Sequence, residues 1–279
     1  MVIVMKIKLG IPIISLALSL LMLWMVVPWS ADKADAATSR RATATAATPA
    51  VLVELFTSEG CSTCPPADKL LADFDQAQLI EGAQVIALSE HVDYWNQLGW
   101  KDPFSSAEFS QRQTDYALAL SMKDIYTPQM IVDGQTAFVG SNLDAARQAI
   151  AKAARSPKAD VNLTLKTATP KAIKLTVQID NVPDVAQGDS ADVMLAITES
   201  GLLSQVLRGE NSGRKLMHAA VTRKLIRIGT IKGKAFSTEP AIDLARTWKR
   251  QNMKAVAFVQ ERASRRVLGA AAIKIAGEL

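Results

Sequence analysis

The 279-residue chain holds two cysteines, Cys61 and Cys64, three positions apart. A bridge between them would close a loop too short to stabilise a fold by restricting the unfolded chain. Secreted domains stapled by disulfides carry more cysteines at wider spacing. The pair therefore calls for a chemical explanation. The apolar run from Val51 to Thr57 reads as a buried strand, and Ser58 to Pro66 supplies turn residues and both cysteines. Ala67 to Ile80 then sets Leu70, Leu71, Phe74 and Leu79 at helical spacing. A thiol between a strand and a helix start sits where free N–H groups and the helix dipole stabilise a thiolate. Such a thiolate attacks a partner disulfide, and a second thiol resolves the mixed disulfide. Cys61 is the candidate nucleophile and Cys64 the candidate resolving thiol.

The same patterning extends through the next hundred residues. Gln84 to Ser89 is a buried strand, Ser105 to Met122 a helix, and Thr127 to Val132 a strand. Gly134 marks a turn, Thr136 to Val139 a further strand, and Asn142 to Ala154 a helix capped by Ser141 or Asn142. The first strand, helix and strand imply a parallel unit, and the later strand pair an antiparallel hairpin. After Pro157 the pattern changes to alternation of apolar and polar residues. It recurs at Val161 to Lys166, Ile173 to Ile179, Val193 to Thr198, Val221 to Ile228, Val256 to Gln260 and Val267 to Ile275. Alternation of this kind marks half-buried antiparallel strands. The expectation is an α/β domain at 51–157, a mixed sheet flanked by helices with a helical insertion at about 90–125. A smaller, mainly antiparallel, sandwich-like β domain is expected at 158–279.

Ahead of these lies a targeting segment. Lys6 and Lys8 precede an apolar run from Leu9 to Trp29, and Ala34-Asp35-Ala36 has the form of a cleavage site. Residues 1–36 read as a signal peptide, or as an uncleaved anchor, since the run is about long enough to span a bilayer. Residues 37–50 read as a linker. Either way the remainder lies outside the cytoplasm, because positive charge stays inside. The expected place is the periplasm or the exterior, or the outer face of the inner membrane if the segment is retained. Contact with the membrane would then run only through that segment. The net charge of +5, from 32 basic and 27 acidic side chains, is scattered rather than clustered, so a nucleic-acid partner is not expected.

Tyr126-Thr127-Pro128-Gln129-Met130-Ile131-Val132-Asp133-Gly134 resembles the thioredoxin superfamily. Its members open a strand with a Thr-Pro dipeptide, in the cis form, that faces the cysteine pair and docks extended substrate backbone. The resemblance, over about residues 50–155, implies that Pro128 is the cis proline and Thr127 its partner. A narrower likeness is carried by three stretches: Phe56 to Asp68, His91 to Asn96, and Arg208 to Arg214 with His218. Together they resemble a bacterial secreted family known as domain-of-unknown-function family 1223, which implies a thioredoxin-like architecture and export. Against thioredoxins, Ser62-Thr63 replaces Gly-Pro between the cysteines, and Pro65 and Pro66 remove two helix-start donors. Glu54, seven residues before Cys61, is one position farther than the buried acid of thioredoxins.

The expected activity is thiol–disulfide exchange with a cysteine-containing protein or a small thiol or disulfide, and a membrane redox partner is conceivable. No cofactor is expected beyond the Cys61–Cys64 disulfide. Glu54, His91 and Asp93 are candidate auxiliaries in proton transfer or thiol tuning. Tyr94, Trp95, Glu210, Asn211 and Arg214 are candidate substrate contacts. The competing interpretation makes the aromatics core packing and Glu210 and Arg214 a structural tie. Two other uses of the cysteines remain open: a permanent bridge in a binding module, or metal handling with His91. The latter lacks a fourth ligand, and no metal site is assigned.

Overall fold

The computed structural model describes residues 48–78 and 80–275. The signal or anchor segment, and the linker up to residue 47, lie outside the described residues. Among the described residues no helix is long and apolar enough to cross a membrane.

The chain runs β1 (Ala50–Thr57), α1 (Pro65–Ala77), β2 (Gln84–His91), α2 (Ala107–Ala119), β3 (Gln129–Val132), β4 (Thr136–Val139) and α3 (Leu143–Ala153). It continues through β5 (Asp160–Ala168), β6 (Ala172–Asp180), β7 (Ala191–Glu199), β8 (Leu202–Gln205), β9 (Lys215–His218) and β10 (Val221–Thr230). The last strands are β11 (Phe236–Thr238), β12 (Ala241–Asp243), β13 (Met253–Glu261) and β14 (Val267–Lys274). The fold is mixed α/β, with one large mixed sheet and a separate antiparallel sheet.

The large sheet has eight strands in the order β14-β13-β7-β10-β2-β1-β3-β4. β1 is central among the early strands, parallel to β2 and antiparallel to β3. It is fully buried after Ala50, because both its faces are covered. Val51, Val53 and Leu55 meet Leu71 and Phe74 of α1 and Ala146 and Ile150 of α3. Leu52 and Phe56 point the other way, where Phe109 and Tyr116 of α2 lie. α1 begins at Pro65, two residues before the expected start. Prolines suit the first helical positions, whose N–H groups would have no partner. It ends at Gln78, whose left-handed φ of 47° turns the chain and whose side-chain amide bonds both backbone groups of Val85. α3 is capped by Asn142, whose Oδ1 accepts the Ala145 N–H at 3.0 Å.

Beyond residue 157 the strands do not stand apart from the first sheet. β10 lies alongside β2, with Val221 opposite Ser89, and β7, β13 and β14 extend the sheet from there. The sheet curls so that Leu52, Ile86 and Leu88 share one core with Ala196, Val256 and Phe258. β5, β6, β11 and β12 form the second sheet, and its Ile173, Leu175, Val177 and Ile179 pack on the opposite face of β7 and β13. β8 and β9 make a separate two-stranded hairpin. The curl brings the turn after β3 against the start of β14. There Gly134, at φ 68°, has no room for a Cβ, which would collide with the Arg265 carbonyl.

Candidate functional site

The disulfide segment is shaped by its own backbone and then pinned from outside. After β1, the Cys61 N–H donates to the Ser58 carbonyl at 3.1 Å, and the Ser58 hydroxyl accepts the Gly60 N–H. Cys61 and Cys64 are joined as a disulfide. Cys64 occupies the position just before α1, and its carbonyl accepts the N–H groups of Ala67 and Asp68. With prolines at the first two helical positions, no side-chain cap is made. The two sulfur-bearing residues are buried, Cys61 at 1% exposure, whereas Ser62 and Thr63 between them face solvent.

The Thr127–Pro128 peptide bond is cis and lies beside this segment. The Thr127 carbonyl oxygen stands 3.8 Å from Cys61 Sγ, and the Thr63 hydroxyl donates to the same sulfur at 3.3 Å. The Trp95 indole N–H donates to the Thr127 hydroxyl at 2.8 Å. A Cβ on Gly60 would stand 3.2 Å from Trp95 Cβ, so the indole residue packs directly on the disulfide loop. Trp95 is thus half-buried and polar-anchored, both a wall and a strut.

Beneath the loop is a group of polar side chains with little access to water. The Glu59 carboxyl accepts from the Trp100 indole at 2.7 Å and pairs with His218 Nε2 at 2.9 Å. His91 Nδ1 pairs with Asp102 at 2.7 Å, and the same Asp102 oxygen accepts the Glu59 N–H at 2.8 Å. The rings of His91 and His218 meet edge to face at 5.0 Å. Their remaining nitrogens, His91 Nε2 and His218 Nδ1, are buried without a hydrogen-bond partner. Burial by itself lowers the His91 pKa, but the charges and hydrogen bond supplied by Asp102, with Asp68 and Glu59 behind it, raise it on balance above the ordinary histidine value. Asp102 is driven up by burial, yet His91 and two backbone N–H groups hold it below the usual carboxylate range. Asp68, four residues after Cys64 on α1, accepts from the Thr57 hydroxyl at 2.7 Å. Burial pushes its carboxyl up, and the two histidines only partly offset this. Among the described residues, no group of three His, Cys, Asp or Glu side chains is arranged to hold a metal ion.

The hairpin of β8 and β9 delivers the last part. Its connecting loop crosses to the disulfide segment, where Asn211, fully buried, donates to the carbonyls of Glu59 and Cys61 at 2.9 and 2.8 Å. Arg214 donates to Asn211 Oδ1, and the Glu210 carboxylate accepts the exposed Ser62 N–H at 2.9 Å.

Of the residues singled out from sequence, Cys61, Cys64, Thr127, Pro128, His91, Trp95, Glu210, Asn211 and Arg214 are therefore drawn together. Two are not, and one stands at the edge. Glu54 projects to the α2 face of the sheet, with Leu52 and Phe56, where it is held by Arg112 at 2.6 Å and by Tyr116. Asp93 bonds Ser110 of α2. Tyr94 stands exposed at the rim of the site, where its hydroxyl donates to Gln113 and neighbours the Thr127 side chain. Conversely, Glu59, Asp68, Asp102, Trp100 and His218 belong to the setting; Glu59, Asp68 and His218 lie within the motif stretches but carried no assigned role there, and Asp102 and Trp100 lie outside them. The signal that could have found Asp102 is its place before Pro103 in a turn of the insertion. Asp68 shares a helix face with Cys64 through four-residue spacing.

No curated protein matches the chain. Among solved structures, a protein of Agrobacterium tumefaciens determined by X-ray crystallography is 26% identical, with a TM-score of 0.61 over 82% of this chain and 96% of that one. HBP35 of Porphyromonas gingivalis shares the fold at 16% identity, with a TM-score of 0.61 over 81% of this chain and 75% of that one. The model of the family described as protein of unknown function (DUF1223) matches residues 52–260, and the chain belongs to that family.

Proposed function

We propose that this protein is an exported, thioredoxin-like thiol–disulfide oxidoreductase working through Cys61 and Cys64. The observation that carries the proposal is the approach of the Thr127 carbonyl to Cys61 Sγ at 3.8 Å. It sets the first sulfur against a backbone acceptor that a partner chain can run alongside. The strand order β2-β1-β3-β4, with α1 and α3 on one face and α2 on the other, supports the thioredoxin-like part. The lysine-led apolar segment at the amino terminus supports export, to the periplasm or beyond.

In the dithiol form, the Cys61 thiolate attacks one sulfur of a partner disulfide. The partner S–S bond breaks, and its other sulfur leaves as a thiolate. Cys64, as thiolate, then attacks Cys61 Sγ, frees the second partner sulfur and closes the Cys61–Cys64 bond. Two electrons pass to the partner. In the reverse direction a partner thiolate opens the bridge at Cys61 and Cys64 leaves. Asp68, one helical turn after Cys64, and the buried His91–Asp102 pair are the groups we assign to proton exchange with the resolving thiol.

Burial of both cysteines favours a second reading, a permanent bridge in a binding module. The reduction potential, measured against glutathione and dithiothreitol couples, separates the two. Exchange with a potential above about −300 mV is expected for the oxidoreductase, and a bridge resistant below that value would overturn it. A Cys64→Ser variant is expected to trap mixed disulfides at Cys61.

A further inference from the structure

The outer face of the β8–β9 hairpin is unusually apolar for a surface. Leu203 and Met217 sit opposite each other across the two strands and are 63% and 75% exposed. Leu207, in the loop the hairpin carries, is 67% exposed. A Cβ on Gly99 would stand 3.5 Å from Gly209 Cα, and this backbone contact sets Leu98, 62% exposed, at the same rim. Four of the five most exposed large apolar side chains among the described residues are thus on the elements that frame the disulfide. Contiguous exposed apolar surface marks a place where something else docks.

The charges of this surface say what kind of partner fits. Arg208, Arg214 and Lys215 are exposed and have no ion-pair partner among the described residues. Glu210 is the one acidic residue between 202 and 217, and its carboxylate is already used by the Ser62 N–H. The excess positive charge opposes pairing with a second copy through the same face, which would set like charges together.

Resting on the exchange chemistry above, we propose that the hairpin is the docking surface through which an extended, acidic polypeptide with apolar side chains meets the disulfide. Leu98, Leu203, Leu207 and Met217 take the apolar side chains, and Arg208, Arg214 and Lys215 face the carboxylates.

The test uses three peptides of equal length with one central cysteine: acidic and apolar, basic and apolar, and acidic and polar. Binding of their serine versions to the oxidised protein is measured by calorimetry. Exchange of the cysteine versions is timed against exchange with dithiothreitol. The acidic, apolar peptide is expected to bind at least about tenfold more tightly than the other two. In the double variants Leu203→Ser/Met217→Ser and Arg208→Glu/Lys215→Glu, its binding and its rate relative to dithiothreitol are each expected to fall about tenfold. Equal binding of the three peptides, unchanged binding in both variants, preferred binding of phosphatidylglycerol vesicles, or self-association through this face would overturn the proposal. If the binding preference holds but neither dithiothreitol nor any peptide exchanges, the oxidoreductase proposal falls and the docking surface stands.

Discussion

Two neighbouring residues of β2, Glu90 and His91, found two buried polar clusters that are built on different principles. Glu90 points to the α2 face, where Glu54, Arg112, Tyr116 and Gln260 join side chain to side chain. Arg112 reaches Gln260 of β13, so this cluster ties the central strand to a helix and to the far wall of the curled sheet. His91 points to the α1 face, where side-chain pairs are joined by bonds that end on the backbone of the disulfide loop. Asp102 takes the Glu59 N–H, and Asn211 holds the Glu59 and Cys61 carbonyls. One cluster locks elements together, and the other fixes the path of the disulfide loop. Buried polar groups of the same chemistry thus serve the fold on one face of a sheet and the site on the other.

If that division holds, damage on the α2 face is a matter of stability alone. Arg112→Met leaves the Glu54 and Glu90 carboxyls without their cation. It is expected to cost about 3–5 kcal/mol in denaturant unfolding, with the dithiothreitol rate per folded molecule unchanged. A changed rate in the folded fraction would break the comparison. On the α1 face, Asn211→Ala removes two bonds to the disulfide loop and is expected to cost about 1–3 kcal/mol. Because Cys61 is otherwise covered, looser pinning should speed its reduction by dithiothreitol about tenfold. A rate equal to that of the unmodified protein would show that Asn211 holds the fold and not the loop.

The titrations sharpen the contrast further. Burial, reinforced by Glu54, lifts the Glu90 carboxyl well above its ordinary 4.5, and Arg112 offsets only part of this. The folded protein therefore holds that proton more tightly than the unfolded chain. Its contribution to stability is complete below about pH 4.5 and is lost as pH rises through the elevated folded value. Glu90→Gln keeps the neutral form, so its unfolding free energy should gain on that of the unmodified protein as pH rises. Parallel curves would refute the shift. The smallest expected effect belongs to His91. Its ring should titrate above the ordinary histidine value by NMR, and Asp102→Asn should bring it down. Stability linked to it is present below 6.5 and fades as pH passes the folded value.

Much of this arrangement could be read from the residues. Apolar runs located β1, β2, β3 and β4, and alternation located the longer later strands, because burial on one or both faces imposes those patterns. The resemblance around Thr127 and Pro128 put that dipeptide beside the cysteines, where it lies. β8, β9, β11 and β12 escaped: β3 and β4 are as short as β8 and β9 but show as apolar runs beside the Thr127–Pro128 motif and the Gly134 turn, whereas LLSQ, KLMH, FST and AID are mixed in polarity and too brief for a period to show. With β8 and β9 went the reason Asn211 is buried. Glu54 was assigned by its distance from Cys61 along the chain. Strand parity, which sets it with Leu52 and Phe56, is the better guide to the face it occupies. Glu59 and Asp102 are single polar residues in loops, and only the folded backbone gives them their partners.

Because β10 abuts β2 and the hairpin beyond β7 reaches the cysteines, the chain has no natural seam near residue 157. A fragment ending there would carry the reactive pair into a new host stripped of His218, Asn211 and Glu210. Engineers wishing to borrow this centre must therefore transplant nearly the whole described length, and swapping the trailing half between relatives should retune the cysteines without touching their immediate sequence.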